Sequence, residues 1–521
     1  MPRSGHSQWP LWGGSGRHAH RHDQIVRLAI PGHCRLNKNA LSPPALCAFC
    51  RCVIVPPTRG RCAGVFVRMI VRGLLASTIC LFATSAYAAP IGPLVTAAFK
   101  RAHIPGGVVA LVSSSGPIEA ATFGVCRGGR PITSDQPFLI GSLSKPVTAA
   151  VATRLASQGG LNLEAPLQTL EPSSGGSAAI TPRQLLSQTS GFSRRQGFSI
   201  PSPDTAGFGN LQPAERPGAY AYSNLNYVVL GQEIQSRSGA PFEAVAAREV
   251  FGPLAMSSTA AIVPDQCGHR LFFGLVTPWA EEPVPGYLAP AGFIRASAPD
   301  LGKFMTAILA QTRSGQDEGW PSLHLNDNDP VAYHQGWRTA MDQGERIWWH
   351  SGSTGSYRAT MVMLPSRDRA FVILTNLGGH NVDDPVDDLG QALIAHVRGQ
   401  PSQPPATLLE PWARMSLLLV VAWSLIALLF TTRRWAKRDR AKSVGMVSMA
   451  LAAAPWIAVG VLSAFALQHF TGLSLLGIWR LAPDIGLTAA VVLAIGAARS
   501  VMNRSASKAS KSETPFAHQL T

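Results

Sequence analysis

The chain contains 521 residues, which is more than a single hydrophobic core usually supports, so we expect one large domain with additional segments. Its net charge of +16 is unevenly distributed: residues 1–88 carry +10, residues 411–521 carry +9, and residues 89–410 carry −3. Because the central region is slightly acidic, the sequence argues against a nucleic-acid-binding domain, which would concentrate basic residues on a folded surface.

The N-terminal region predicts a leader followed by a secretory signal. Residues 69–88 contain Arg72, then an apolar run, then the small-x-small cleavage pattern Ala86-Tyr87-Ala88, and these are the three parts of a signal peptide. A signal peptide begins near the start of translation. Residues 1–68 are therefore predicted to be a disordered leader or a mis-extended start.

Six of the eight cysteines precede residue 89. The run CAFCRC at 47–52 can be read as a zinc site with Cys62 as a further ligand, but its spacing is irregular and no folded unit surrounds it. We therefore predict no metal and no cofactor. Cys126 and Cys267 lie in the central region and can pair in an oxidising compartment, although the sequence leaves their pairing open.

The central region, residues 89–400, predicts an α+β domain. A helix over 91–102 precedes two apolar strand candidates at 108–114 and 118–125, which are separated by a turn. The last predicted elements are a hairpin of strands at 357–365 and 369–376 and a helix over about 384–398. Because strands lie at both ends and helices with long loops lie between them, we expect an antiparallel sheet flanked by helices, with an inserted helical lobe.

Residues 138–151, FLIGSLSKPVTAAV, place Ser142 at the start of a predicted helix and Lys145 one turn further on the same face. A serine hydroxyl needs a nearby base to act as a nucleophile, and a lysine can be that base if its pKa is lowered. The spacing alone is weak evidence, since Ser505 and Lys508 in the C-terminal tail repeat it. A helix N-cap is the alternative role for Ser142.

Two further segments carry polar groups suited to the same chemistry. Residues 220–231 contain Tyr222-Ser223-Asn224 before a helical apolar pattern, and residues 347–357 place His350-Ser351-Gly352 at the end of an aromatic strand candidate. His334-Gln335-Gly336 also fits a His-x-Gly pattern. We prefer His350, because it lies beside the predicted strand and a Gly-rich turn.

These motifs occur in the order S-x-x-K, Y-x-N and H-x-G. With them, the sequence resembles the serine β-lactamase and DD-peptidase superfamily, specifically its class C-like branch, which includes D-alanyl-D-alanine carboxypeptidases and esterases. Two more segments support the resemblance, LLSQTSGF at 185–192 and PAGFIRASAPDLGKFM at 290–305. It covers about residues 91–398 and implies the β-lactamase/transpeptidase-like fold.

The resemblance implies the following roles. Ser142 is the nucleophile of an acyl-enzyme, while Lys145 and Tyr222 share the general-base task and Tyr222 then protonates the leaving group. This use of Tyr222 implies a phenol whose pKa is lowered by a charged Lys145. Asn224 orients Lys145 and the substrate amide. The backbone N–H groups of Ser142 and Ser353 form the oxyanion hole.

His350 and Gly352 are predicted to contact substrate. Many β-lactamases of this class carry lysine at the position of His350, and a histidine is only partly charged near neutral pH. The departure favours a carboxypeptidase or an esterase over an efficient β-lactamase. Arg358 is a candidate for the missing positive charge.

The C-terminal region predicts about three transmembrane helices within 413–498, at about 415–432, 444–467 and 482–498. The basic loop at 433–442 is expected in the cytoplasm. This topology leaves the domain outside, tethered by the Pro-rich linker 401–412, and puts the basic tail 499–521 inside.

We therefore expect a serine hydrolase in a bacterial inner membrane, with its catalytic domain on the periplasmic side. Its predicted partners are a small-molecule or peptidoglycan-like substrate and the membrane, without nucleic acid. The sequence leaves open whether a membrane protein is a further partner. The alternatives are a penicillin- or peptidoglycan-binding sensor and a catalytically silent interaction module on the same fold.

Overall fold

The computed structural model describes residues 90–170, 180–260, 267–280, 284–323, 331–379, 385–402, 410–436 and 483–511. The predicted leader, signal peptide, zinc pattern and second transmembrane stretch lie outside these residues, as does most of the linker. The described residues confirm an α+β fold with an antiparallel sheet and helices.

The strands that the described residues contain are β1 (Gly106–Ser113), β2 (Gly116–Gly124), β3 (Phe138–Leu139), β4 (His269–Phe272), β5 (Leu275–Pro278), β6 (Arg295–Ala296), β7 (Val331–His334), β8 (Trp337–Asp342), β9 (Glu345–Ser353), β10 (Arg358–Leu364), β11 (Arg369–Thr375) and β12 (Leu377–Gly378). Seven of these form the main sheet, in the order β2-β1-β11-β10-β9-β8-β7. Its neighbouring strands are antiparallel throughout, so the N-terminal hairpin pairs directly with the C-terminal one.

The α-helices within the described ranges are α1 (Ile91–Arg101), α2 (Ser144–Ser157), α3 (Pro182–Leu186), α4 (Ala206–Gly209), α5 (Asn224–Ser238), α6 (Phe242–Ala246), α7 (Ala298–Ser314), α8 (Pro385–Val397), α9 (Glu410–Ala436) and α10 (Pro483–Lys511). The helices α2 to α6 lie between β2 and β4 in the chain and form the predicted helical lobe. The predicted elements at both ends of the domain are thereby confirmed, with boundaries that differ by one or two residues.

Helices cover both faces of the sheet around β1. A Cβ atom on Gly107 would meet the ring of Phe99 in α1, whereas Gly302 in α7 lies beside Val112. Because successive residues of a strand point to opposite faces, Gly107 and Val112 place α1 and α7 on opposite sides. This position explains why every residue of β1 is buried, as its apolar sequence predicts.

The hairpin between β1 and β2 is tighter than the sequence predicts. The expected turn contains Gly116 and Pro117, but Gly116 pairs with Ser113, and both Gly116 and Pro117 belong to β2. The turn is therefore Ser114-Ser115. Gly116 has a φ of 120°, a conformation that favours glycine.

Cys126 and Cys267 form a disulfide, with 4.1 Å between their Cα atoms. This bond joins the segment after β2 to the residues that lead into β4. Asn376 contributes at the same place, because its Nδ2 donates to the carbonyl oxygens of Val125 and Cys267, each at 2.9 Å. The pairing that the sequence leaves open thus fastens β4 to the edge of the main sheet.

Two of the three predicted transmembrane stretches are helical in the described residues. The apolar windows Met415–Arg433 in α9 and Pro483–Ser500 in α10 are each long enough to cross a membrane. The two helices contact each other, and Arg499 Nε donates to Thr431 Oγ1 at 3.1 Å. The predicted three-helix bundle is not confirmed, since the stretch at 444–467 lies outside the described residues.

Candidate active site

Ser142 lies at the junction between the helical lobe and the main sheet. A short 3₁₀ turn, Gly141–Leu143, leads directly into α2, as the sequence predicts. Residues 143–152 are buried all round, whereas Ser142 is only half-buried. Ser142 is therefore the more accessible residue just before a helix whose first residues, 144–153, are buried.

Ser142 Oγ receives two side chains that the motif order brings together. Lys145 Nζ lies 2.9 Å from Ser142 Oγ, and the Tyr222 hydroxyl donates to the same oxygen at 2.9 Å. These distances are within normal hydrogen-bond range. Three residues that are up to 80 positions apart thus form one hydrogen-bonded chain around a candidate nucleophile.

Lys145 is fully buried and held by oxygen atoms. Besides Ser142 Oγ, its Nζ donates to Asn224 Oδ1 at 2.8 Å and to the Ala291 carbonyl at 2.6 Å. The ring of Tyr222 lies beside it, with its centroid 5.0 Å from Nζ. Asn224 therefore orients Lys145, which agrees with its predicted position.

Burial lowers the pKa of Lys145 well below its usual value, and the positive charge of Arg338 lowers it further. A neutral amine keeps two N–H donors, which suffice for Asn224 and Ala291. Its lone pair can then accept the proton of Ser142 across the 2.9 Å contact. Lys145 thus has the environment of a general base.

Burial raises the pKa of the Tyr222 phenol, although its hydrogen bond to Ser142 and the charge of Arg338 oppose this. The expectation that a charged Lys145 lowers the Tyr222 pKa is thus wrong in direction. The reason is that burial of the phenol disfavours its charged form, and this effect outweighs the opposing ones. Tyr222 remains a neutral phenol, which suits a proton donor better than a base.

Two glycines allow β9 to approach the 3₁₀ turn closely. A Cβ on Gly352 would collide with the Ile140 carbonyl oxygen and lie 3.0 Å from Ser142 N, while one on Gly141 would lie 2.5 Å from Ser353 N. Gly141 also has a φ of 56°, which favours glycine. The backbone N–H groups of Ser142 and Ser353 are consequently neighbours, as the predicted oxyanion hole requires.

His350 lies in β9 and is almost completely buried, with 1% of its surface exposed. Its Nδ1 is 2.7 Å from the Ser351 carbonyl, which can only accept, so Nδ1 carries the proton. Its Nε2 lies 3.3 Å from the Tyr333 hydroxyl. Burial, followed by the charge of Arg338, lowers the pKa of His350 well below its usual value. A neutral imidazole therefore occupies this position at physiological pH.

The other His-x-Gly sequence has a different place. His334 ends β7, and Gln335-Gly336 form the turn into β8. Gly336 packs against the backbone of Pro146 in α2. This second motif therefore packs behind α2. His350, the preferred candidate, lies beside Tyr222, with 6.2 Å between the ring centroids.

Arg338 is the cation that the sequence analysis missed. It lies on β8, with its guanidinium carbon 5.4 Å from the Tyr222 ring centroid, and no carboxylate in the described part of the chain pairs with it. Arg358, the expected candidate, forms an ion pair with Asp387 at 3.4 Å. The sequence gave no signal for Arg338, because the direction in which a strand residue points depends on the strand register, which the sequence does not show.

The segment 289–294 supports α2 through its backbone. The carbonyls of Pro290 and Ala291 accept from Thr148 and Lys145, at 2.9 and 2.6 Å, and Ile294 N donates to Ser144 Oγ at 3.1 Å. The sequence marked this segment as a motif without giving it a role. A backbone carbonyl contact leaves no side-chain pattern by which it could be recognised.

The sequence matches the Beta-lactamase family over residues 91–396, so the chain belongs to that family. It is 24% identical over 331 residues to "Protein flp" of Staphylococcus aureus, covering 57% of this chain and 65% of that protein. It is 26% identical over 328 residues to "Unguisins hydrolase ungD'" of Aspergillus campestris, covering 54% and 60%. The chain thus spans less than two thirds of the length of these relatives.

A solved structure described as "A class C beta-lactamase" superposes with a TM-score of 0.50 and 16% sequence identity. The match covers 60% of this chain and 96% of that one. At this identity the likeness shows the fold, and it agrees with the α+β architecture described above.

Proposed function

We propose that the chain is a membrane-anchored serine hydrolase that forms an acyl-enzyme on Ser142 and acts on a peptide, amide or ester bond outside the cytoplasm. The observation that carries the proposal is the pair of 2.9 Å contacts from Lys145 Nζ and the Tyr222 hydroxyl to Ser142 Oγ. Membership of the Beta-lactamase family supports the reaction class.

In the acylation step, neutral Lys145 accepts the hydroxyl proton while Ser142 Oγ forms a bond to the substrate carbonyl carbon. The backbone N–H groups of Ser142 and Ser353 stabilise the resulting oxyanion. Tyr222 donates its phenolic proton to the leaving group as the carbonyl–heteroatom bond breaks. The Lys145 ammonium then returns a proton to the phenolate, and water later hydrolyses the acyl-enzyme.

The charges around the site favour a substrate with a carboxylate near the bond that is cleaved. His350 is neutral when buried, and Lys145 must be neutral to act as a base, so neither provides a lasting positive charge. Arg338 does, because a guanidinium stays protonated at physiological pH. A D-alanyl peptide has such a carboxylate, and we therefore favour a D-Ala-peptide carboxypeptidase over an esterase, whose substrate needs no carboxylate. A penicillin carries a carboxylate as well, so the case against an efficient β-lactamase rests on the neutral His350 in place of the lysine that many β-lactamases of this class carry.

The location is inferred from the two ends of the chain. The signal-peptide pattern at 69–88 and the apolar windows in α9 and α10 support a domain held outside a bacterial inner membrane. Such a domain meets peptidoglycan-like substrates rather than cytoplasmic ones. The disulfide between Cys126 and Cys267 is compatible with an oxidising compartment.

The proposal is tested by labelling the full-length protein, in detergent, with a fluorescent penicillin and separately with a fluorophosphonate, and following the adduct by intact mass. Ser142→Ala should abolish both labels. Ser505→Ala is the matched control, since it changes the serine of the second S-x-x-K sequence, and it should label like wild type.

The outcomes separate the candidate functions. A penicillin adduct that persists supports a carboxypeptidase or a sensor, and turnover of a D-alanyl peptide by wild type then distinguishes the two. Rapid loss of the adduct indicates a β-lactamase, and fluorophosphonate labelling without penicillin labelling indicates an esterase. Equal labelling of Ser142→Ala, or none of any variant, would overturn the hydrolase proposal in favour of a silent module.

Arg338→Gln adds a test of the carboxylate. A penicillin carries a carboxylate and a fluorophosphonate does not. The variant should therefore lower the rate of penicillin labelling divided by the rate of fluorophosphonate labelling. Using the ratio cancels any change in the basicity of Lys145. An unchanged ratio would contradict the role of Arg338 in substrate binding.

A further inference from the structure

The hairpin of β4 and β5 is an exposed apolar element of the catalytic domain. Residues 271–280, LFFGLVTPWA, contain no charged side chain. Leu275 is 58% exposed and Trp279 is 37% exposed, while the rings of Phe272 and Phe273 pack together near the turn. The strand β5 is an edge of its small sheet, which has the order β12-β4-β5 in the described residues.

The turn of this hairpin contacts the start of α10. Phe273 N donates to Asp484 Oδ2 at 3.0 Å, and the other carboxylate oxygen accepts from Ile485 N at 3.0 Å. Asp484 is completely buried, although it stands at the second position of an apolar helix. The apolar window of α10 begins at Pro483, so the hairpin turn lies level with the end of that window.

The base of the hairpin is fixed to the catalytic domain in three ways. The Cys126–Cys267 disulfide precedes β4, and β4 pairs in parallel with β12, with Gly378 opposite Arg270. Arg270 Nε also donates to the Gly355 carbonyl at 3.0 Å. Because these connections are independent, the hairpin has little freedom to move relative to the domain.

We propose that the β4–β5 hairpin docks on the outer surface of the lipid bilayer beside the end of α10. The inference rests on the proposed membrane anchor and goes beyond it, since an anchor alone leaves the domain free to turn on its linker. Large aromatic side chains are enriched where a membrane meets water, and the loop brings no charged side chain of its own into the headgroup region, since the Asp484 carboxylate at its turn belongs to α10. Leu275 supplies exposed apolar surface beside the turn, and Trp279 supplies it at the base, where the guanidinium of Arg270 stacks on its ring at 4.3 Å.

Docking would set the orientation of the active site. Gly355, which accepts from Arg270, lies two residues after Ser353 of the predicted oxyanion hole. A hairpin held at the bilayer therefore holds this turn, and the opening above Ser142, at a fixed height over the membrane. Substrates close to the membrane surface would then be preferred over distant ones.

The test uses the full-length protein in vesicles of phosphatidylethanolamine and phosphatidylglycerol. An environment-sensitive fluorescent amino acid replaces Leu275 in one variant and Ile118 in a control variant. Ile118 is a good match because it is also on an edge strand, β2, and is 46% exposed. Quenching is measured with a doxyl-labelled lipid and with aqueous iodide, after flotation and thermal denaturation have shown that each variant is inserted and folded.

We expect the probe at 275 to be quenched by the doxyl lipid and protected from iodide, and the probe at 118 to behave in the opposite way. Iodide quenching at both positions in floated protein would overturn the docking alone. Protection of position 275 from both quenchers would indicate a protein contact and would also overturn it. Failure of the protein to float would overturn the anchor and the docking together, whereas labelling of Ser142 reports the hydrolase independently.

Discussion

At the scale of single residues, the state of Lys145 decides how the site can work. The side chain is enclosed by α2, Asn224 and the 289–294 segment, and burial is the largest cause of its lowered pKa. The same enclosure raises the pKa of Tyr222. Burial thus favours the neutral form of both neighbouring groups, which in the proposed reaction suits Lys145 to act as the base and Tyr222 as the acid.

The assignment of Tyr222 predicts a dependence on the leaving group. Tyr222→Phe removes the hydroxyl but keeps the ring beside Lys145. Removal of a general acid costs about 10²–10⁴-fold in rate. We expect a loss in this range for hydrolysis of a peptide or amide, whose leaving amine must be protonated, and a much smaller loss for a p-nitrophenyl ester. Steady-state kcat/KM on the two substrates measures this, and equal losses would contradict the role of Tyr222 as proton donor.

The buried His350 and the partly buried His334 predict sensitivity to acid. Burial lowers the pKa of His334 from 6.5 to about 4 and lowers that of His350 as well. Each histidine therefore binds a proton more readily in the unfolded state, so the free energy of unfolding falls as the pH drops below 6.5. For His334 the loss amounts to about 3 kcal/mol once the pH reaches about 4.

His334→Gln should remove this part of the acid sensitivity. We expect the variant and wild type to have similar Tm values at pH 8, where the imidazole is neutral in both folded and unfolded states. Below pH 6.5 the Tm of wild type should fall more steeply. Thermal denaturation of the two full-length proteins across this range checks the expectation, and parallel curves would show that His334 does not titrate on unfolding.

At the scale of elements, the active site depends on the close approach of β9 to the 3₁₀ turn before α2. The approach is possible because Gly352 has no Cβ to collide with the Ile140 carbonyl. The strand brings Ser353 N to Ser142 N in this way. Strand and turn are 210 residues apart, between Ser142 and Gly352, so this contact exists only in the folded sheet.

Gly352→Ala should therefore impair catalysis through the backbone. The added methyl group must separate β9 from the turn, which misplaces one oxyanion donor, and loss of such a donor costs about 10²–10³-fold in rate. Gly92→Ala is the control, since a Cβ there meets nothing within 4 Å. Fluorophosphonate labelling rates of the two variants test this, and a Gly352→Ala variant as reactive as Gly92→Ala would contradict the close approach.

The elements show what the sequence could predict. The apolar run of β1, the hairpin of β10 and β11 and the start of α2 follow from local patterns, and the structure agrees with them. The order of three motifs was sufficient to name Ser142, Lys145, Tyr222 and Asn224. Arg338 and the Ala291 carbonyl could not be predicted, because the role of a cation on a strand or of a backbone oxygen depends on the register and packing around it.

The pKa directions show a second limit of sequence reasoning. A lysine three residues after a serine looks like a positive charge that would lower the pKa of a nearby tyrosine. The structure buries both groups, and desolvation then dominates over their mutual interaction. Burial depends on the whole core and cannot be read from the spacing of a motif.

At the scale of the whole molecule, charge and hydropathy divide the chain into regions with different environments. The slightly acidic central region folds into the Beta-lactamase-family domain, whereas the excess of positive charge lies in the N-terminal region and beside the apolar C-terminal helices. The contact between Phe273 and Asp484 joins the domain to α10, and the sequence gave no indication of it. The proposed membrane-anchored hydrolase uses all these parts, and the central chemical requirement of the proposal is a neutral Lys145.

The most direct test of that requirement is the pH dependence of Ser142 acylation. The rate of fluorophosphonate labelling is measured for the full-length protein and for Arg338→Gln. For wild type we predict a rate that rises through an apparent pKa far below the usual lysine value of about 10.4 and then stays constant at higher pH. In Arg338→Gln the rise should move to higher pH, because the charge that repels the ammonium is gone. A wild-type rate that rises only near pH 10, at about the ordinary pKa of lysine, would contradict the assignment of Lys145 as the base.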